Sequence, residues 1–364
     1  MITRREFGAV VALAPIVAAT AAARQDDVYD RSIVIDALAN PGSMNVSWPP
    51  RGPLSQKQRD AIAGSGLTAI NVTVSADFEG SVRNIALWQG EADRYPTLLS
   101  IVRRHEDIAR AKKDKTLGLM LGFQNTDMIE RDLSRLDLFY RLGIRIIQLT
   151  YNDRNLVGDG CLEPGNAGLS SFGRQVVERM NTLGIAVDLS HCGTQTTADG
   201  IATSSKPPLI THSGCREVFR HPRSKEDREL KAMADKGGVV GIYFMPFIGP
   251  GPGAPSVEML MRQIDHAIKV CGVDHVGIGS DLSVTPIEET PEYLREHRSF
   301  VDARAKRGIS APEESRPLFI PELNHPRRLE GVVRGMRQRK HSTDVIEKVI
   351  GGNFHRVFKE IWTL

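Results

Sequence analysis

Residues 184–223 read GIAVDLSHCGTQTTADGIATSSKPPLITHSGCREVFRHPR. Two short apolar runs stand in this stretch, 185–189 (IAVDL) and 208–210 (PLI), and each leads into a histidine, His191 and His212. The segment between them opens on turn residues and then has a helical composition. The pattern is strand, helix, strand, with an imidazole at the carboxyl end of each strand. Imidazoles on neighbouring parallel strands can meet at one point, which is how such a fold assembles a zinc site. Any one of the ten histidines would by default be a surface or hydrogen-bonded polar residue. Two at matching positions of successive units are the stronger signal.

Outward from this unit the alternation continues. Residues 32–38 (SIVIDAL), 67–74, 117–125, 144–151, 239–245 and 275–281 read as further strands, and 56–63, 82–93, 105–113, 132–142, 171–183 and 257–270 as helices. Nearly continuous apolar strands imply a parallel sheet buried on both faces. Eight such units over roughly 250 residues favour an α/β fold of the (β/α)8, TIM-barrel type. A doubly wound open sheet is the alternative. The tail, 326–364, reads as two or three helices packed outside the barrel.

The chain has 364 residues, 41% hydrophobic and 25% charged, with a net charge of +3. The near balance, and the lack of a Lys/Arg stripe interleaved with aromatics, argue against a nucleic-acid partner. At the N-terminus Arg4-Arg5 precedes an alanine-rich apolar run, 8–23. Residues 1–23 are therefore expected to be a twin-arginine export signal, with the barrel domain over 24–364 and a periplasmic location. The run is short of the ~20 strongly apolar residues of a membrane span. Four cysteines, Cys161, Cys192, Cys215 and Cys271, have no spacing that names a pair. They are expected to be ordinary buried or loop residues, with a disulfide or a thiolate ligand as the alternative.

In a barrel of this kind the site lies at the carboxyl ends of the strands. Those ends carry Asp36, Asn40, Gln124, Tyr151, His191, His212 and Asp281. Polar groups gathered on one rim suit a metal-assisted hydrolase, in which a cation lowers the pKa of bound water to about 7 and a carboxylate takes the proton. Asp281, at the end of the last strand, is the candidate proton acceptor; a helix cap or turn is its other reading. Arg223 is the candidate for binding a substrate carboxylate through its forked donors, or else a surface arginine.

The segments LGLMLGFQN, GIRIIQLTYNDRN, GLSSFGRQVVERMNTLGIAVDLSH, THSGCREVFRHPRS, KGGVVGIYF, DHVGIGSD and EKVIGGNFHRVF together resemble the membrane (renal) dipeptidase family of zinc peptidases, from about residue 32 to the end. The resemblance implies a (β/α)8 barrel, a two-zinc centre and hydrolysis of dipeptides. His191 and His212 match ligands of the second zinc, Asp281 the aspartate ending strand eight, and Arg223 the arginine that binds the substrate carboxylate. The family's opening Asp-Gly-His-Asn-Asp is replaced by Asp36-Ala37-Leu38-Ala39-Asn40, its bridging glutamate by Gln124, and the histidine of its Leu-Thr-His by Tyr151. Two dications a few Å apart need more negative charge than Asp281 alone supplies. The expectation is therefore at most one zinc, held by His191, His212 and Gln124 or Asp281. Tyr151 would donate a hydrogen bond to the substrate carbonyl. The partner expected is a dipeptide or similar small molecule, with a homodimer as the candidate assembly and no stable membrane span after signal cleavage. Two alternatives stay open: an inactive homologue acting as a periplasmic binding or maturation factor, and a different hydrolysis or isomerisation in the same pocket, in which Cys192 or Cys215 would act as thiols.

Overall fold

The computed structural model describes residues 27–42 and 52–363, so the expected export signal lies outside the described residues. Eight parallel strands alternate with helices: β1 (Ile35–Asp36), β2 (Ala69–Thr73), β3 (Leu117–Phe123), β4 (Ile144–Gln148), β5 (Ala186–Asp188), β6 (Leu209–Ser213), β7 (Val239–Ile242) and β8 (Val276–Ile278). Neighbours pair in sequence order, from Ile35 beside Ala69 to Val240 beside Val276. A further short strand, Leu99–Ile101, flanks the first half of β3 before β4 takes its place.

The ring closes at β1 and β8 by a lean set of contacts. Ala37 N–H donates to Ile278 O at 2.8 Å and Asp281 N–H to Leu38 O at 2.8 Å. Beyond them Leu282–Ser283 pairs in parallel with Ala39–Asn40. The Asp36 carboxylate clasps the same seam: Ser280 N–H reaches Oδ1 at 2.7 Å and Ser280 O–H reaches Oδ2 at 2.5 Å. Arg328 stands 3.6 Å from Oδ2. Burial pushes the Asp36 pKa up, and Arg328 and Ser280 oppose that push.

Local chemistry places the helices. Between β4 and β5, Ser170 caps helix Ser171–Leu183 by accepting from Gly173 N–H at 2.9 Å, and Gly184 ends it at φ +70°. Val176, Val177 and Met180 turn inward from this helix. The strands crowd each other where β6 meets the closing seam. A Cβ at Gly279 would lie 1.9 Å from Thr211 O, so a side chain there would displace the strand that carries His212.

The tail forms helices Arg328–Gln338, Thr343–Glu347 and Asn353–Ile361. The last lies across the amino-terminal mouth of the barrel. Phe354, Val357, Phe358, Ile361 and Trp362 pack on Ile35, Ala69, Ala186, Leu209 and Val239, each at or near the start of its strand. Phe354 is fully buried. Its truncation to alanine is expected to cost about 3–5 kcal/mol, read as a lower urea midpoint at unchanged slope.

Candidate active site

The opposite mouth collects the polar side chains. His191 and His212, just past β5 and on β6, are 3% and 0% exposed, and their Nε2 atoms face each other at 2.9 Å. Hydrogen-bond partners fix which nitrogen of each ring carries hydrogen. Asn152 Oδ1 accepts from His191 Nδ1–H at 2.6 Å. Thr211 gives its own hydroxyl hydrogen to Asp188 Oδ2 at 2.6 Å, so at 2.9 Å it accepts from His212 Nδ1–H. Asp188 also takes Ser190 N–H, Ser190 O–H and Thr211 N–H on Oδ1, which anchors the arrangement in β5. Both Nε2 atoms are left as acceptors facing one another, His212 Nε2 with only the long contact to the Gln124 amide nitrogen besides. Burial, with Arg223 nearby, holds both imidazoles well below their usual pKa. Two bare, neutral nitrogens at this spacing repel unless a positive group lies between them, and the donor set suits one borderline-soft divalent cation.

Gln124 presents its amide nitrogen 3.5 Å from His212 Nε2. A half-turn of the amide would present Oε1, a neutral oxygen ligand. Tyr151 stacks on His191, with centroids 4.2 Å apart at 22°. Burial raises its pKa, so the hydroxyl stays a donor. Arg223 is 2% exposed; its fork donates to Ser190 O at 2.8 Å and His212 O at 3.5 Å, which ties it to both histidine-bearing segments. Asp281 is held at φ +60°, and desolvation pushes its carboxyl up to about 7 against the pull of Arg223 and Arg304. His191, His212 and Asp281 do not form a compact donor triad. Among the described residues the group of three acidic, histidine or cysteine donors within 4.8 Å of one another is Glu217, Asp227 and His266, on the outer surface. Asp281 therefore does not join the two imidazoles within that spacing.

The strand-one substitutions are equally plain. Leu38 is buried, Asn40 Oδ1 accepts from Gly42 N–H at 2.8 Å, and Asp36 is committed to Ser280 and Arg328. Among the described residues a second cation finds no uncommitted anionic donor there, so this donor set does not fit a two-metal centre. The four cysteines are free. Burial pushes Cys192 up to about 11 and Cys215 well above its usual value, which keeps both as thiols.

Sequence reasoning did not single out Asn152, Asp188 or Thr211 as supports of the imidazoles, although polar residues in apolar strand runs were visible. It also missed Arg304. That guanidinium stands 5.2 Å from the Tyr151 ring and pairs with Glu314 at 2.8 Å.

Fold and site together define a dipeptidase-like barrel. The family model for membrane dipeptidase, peptidase family M19, matches residues 56–313, and the chain belongs to that family. It is 26% identical to dipeptidase tcpJ of Claviceps purpurea over 79% of this chain, but it spans only 61% of that relative's length. Among solved structures it is similar to an amidohydrolase from Pseudomonas aeruginosa, with 30% identity, a TM-score of 0.81, and 93% of this chain and 98% of that one covered. It also shares its fold with a metallopeptidase from Rhodobacter sphaeroides, solved with a phosphinate mimic of L-Ala-D-Ala, at 18% identity and a TM-score of 0.72 over 91% of this chain and 100% of that one.

Proposed function

We propose that the protein hydrolyses a dipeptide or a related small amide with a free carboxylate, using one divalent cation, zinc by family precedent. The observation that carries this reading is the facing pair of bare Nε2 atoms on His191 and His212, each ring oriented by a buried partner. When bound, such a cation supplies Lewis acidity toward a carbonyl and toward water. The side chains do the rest. Arg223 binds the substrate carboxylate, held in place by its bonds to Ser190 O and His212 O. Tyr151 donates to the carbonyl oxygen as it gains charge. Asp281 accepts a proton from water and returns it to the leaving amine. Export through the signal beginning at Arg4-Arg5 would place this activity in the periplasm.

The test is zinc content after mild purification, followed by a dipeptide panel. One zinc per chain with cleavage supports the reading; protein that never takes up zinc, or takes it up and cleaves nothing, refutes it. The pH profile adds a separate prediction. Asp281 must be ionised to accept a proton and its pKa lies at about 7, so kcat/KM should fall as pH drops below that value. Asp281→Asn should remove the acid limb together with most of the activity. A flat profile from pH 5 to 8 would assign the proton to another group.

A second reading, a cation-free binding protein for a carboxylate-bearing ligand, is favoured by the loss of acid at Asn40 and Gln124 and by the apolar Leu38. It predicts ligand binding that depends on Arg223 and is indifferent to chelators.

A further inference from the structure

The imidazoles are almost sealed from solvent, and part of the seal comes from a segment outside the strand–helix repeat. After β8 the chain forms helix Pro291–Lys306 and then a strap of successive turns, 307–316, whose Ile309 carbonyl meets Asn152. Three sets of contacts fasten the strap, besides the Arg316 bonds to Pro246 O, Gly249 O and Gly253 O at 2.9 Å each. Asn152 Nδ2–H donates to Ile309 O at 2.8 Å. His221 Nε2–H donates to Pro312 O at 3.0 Å, its Nδ1 being occupied by Arg223 N–H. Arg304 and Ser310 converge on the Glu314 carboxylate at 2.7–3.0 Å.

The first of these bonds has an effect beyond anchoring. A carbonyl oxygen only accepts, so Ile309 O fixes the NH2 end of the Asn152 amide on the strap side. The oxygen end must then face His191, 2.6 Å from Nδ1, where it also accepts the Cys161 thiol at 3.4 Å. An acceptor at that place holds the hydrogen on Nδ1 and leaves Nε2 bare. With the strap undocked, Asn152 has no such constraint. If its amide turns over, an N–H faces His191 Nδ1, the ring hydrogen moves to Nε2, and Nε2–H donates to His212 Nε2 across the existing 2.9 Å gap. That arrangement satisfies both rings without a cation and blocks the place where one would sit.

We propose that the strap 307–316 acts through Asn152 as a switch on His191, docked for a cation-ready imidazole pair and undocked for a pair hydrogen-bonded to itself. Asn152 is the positioning residue. The inference rests on the one-cation reading above for its purpose, but not for its test. On this proposal, opening of the strap loosens the cation and closure restores it. A ligand shifts such an equilibrium only by its preference for one state, and here the preference is the cation's for bare Nε2.

The test uses the full chain, Zn2+ as probe, hydrogen exchange over 307–316, and nitrogen NMR of 15N-histidine protein to report which nitrogen of His191 carries hydrogen. Glu314→Ala removes a strap anchor that touches neither imidazole. It should speed exchange in the strap, move the His191 hydrogen toward Nε2, and weaken Zn2+ about 10–100-fold, the range for loss of an orienting partner. Asn152→Asp cannot donate to Ile309 O yet still accepts from Nδ1–H. It should loosen the strap while keeping the native His191 form and undiminished Zn2+ affinity. A loosened strap in Glu314→Ala with His191 and Zn2+ affinity unchanged overturns the proposal. Parallel loss of the native His191 form in Asn152→Asp also overturns it. Should Glu314→Ala fail to fold, Asn152→Asp decides alone. If native protein binds no Zn2+, the functional reading fails, while the NMR and exchange results still judge the switch.

Discussion

His191→Ala is expected to lower zinc affinity by more than about 100-fold and to remove dipeptide cleavage with it. The size follows from a graded comparison. Loss of a residue that merely orients a metal-bound histidine typically costs about 10–100-fold in affinity. His191 is itself one of two imidazole donors, and what would remain is His212 and the neutral amide of Gln124, 3.5 Å away. Thr211→Val provides the intermediate step. It keeps His212 but removes the acceptor 2.9 Å from Nδ1, so it should fall within the range for an orienting residue. Chelator competition measures both variants, with near-ultraviolet circular dichroism to confirm that each is folded. Equal zinc affinity in native protein and His191→Ala would place the cation elsewhere, and the surface group Glu217, Asp227 and His266 would be the next candidate.

The barrel was readable because parallel strands covered on both faces are apolar along their length: LGLMLGF and VVGI need no partner to announce themselves. The closing seam was not readable. It depends on backbone bonds between Ala37 and Ile278 and on one carboxylate, Asp36, whose partners Ser280 and Arg328 are hundreds of residues away in sequence. The histidines could be found because each stands at the carboxyl end of an apolar strand run, just past β5 and on β6. Their supports could not, because Asn152 and Thr211 matter through which hydrogen each accepts, and no pattern of residue types records that. Asp281 shows the limit of reading strand ends. Its place on the rim was clear, but its left-handed backbone and its separation from the imidazoles depend on the turn that follows β8. The strap escaped notice for another reason. Helix Pro291–Lys306 buries only Tyr293 and His297, so it has almost no apolar face to betray where it docks.

On the one-cation reading proposed above, restoring the family's ligands should convert the chain into a two-cation protein. The variant Leu38→His/Asn40→Asp/Gln124→Glu is expected to bind two zinc ions per chain where the native chain binds one. The backbone for this already exists: Leu38 and Asn40 flank the seam beside β8, and Gln124 stands 3.5 Å from His212 Nε2. What the native rim lacks is charge. Two dications repel strongly at a few Å, and the repulsion grows as the effective dielectric falls. A bridging carboxylate and a second aspartate supply the missing anions. The same groups should weaken the metal-free variant, because Asn40 is 8% exposed and Leu38 3%, so the new charge and imidazole enter a nearly dry site. In chelator the triple variant should melt below the native protein. With zinc at about 1,000 times the dissociation constant, binding returns about 4 kcal/mol and should reverse that order. One zinc in both proteins, with no zinc-dependent rise in melting temperature beyond the native one, would mean that the rim's shape and not its charge forbids the second cation. The departures at Leu38, Asn40 and Gln124 would then follow from a rebuilt mouth rather than cause the loss of a metal.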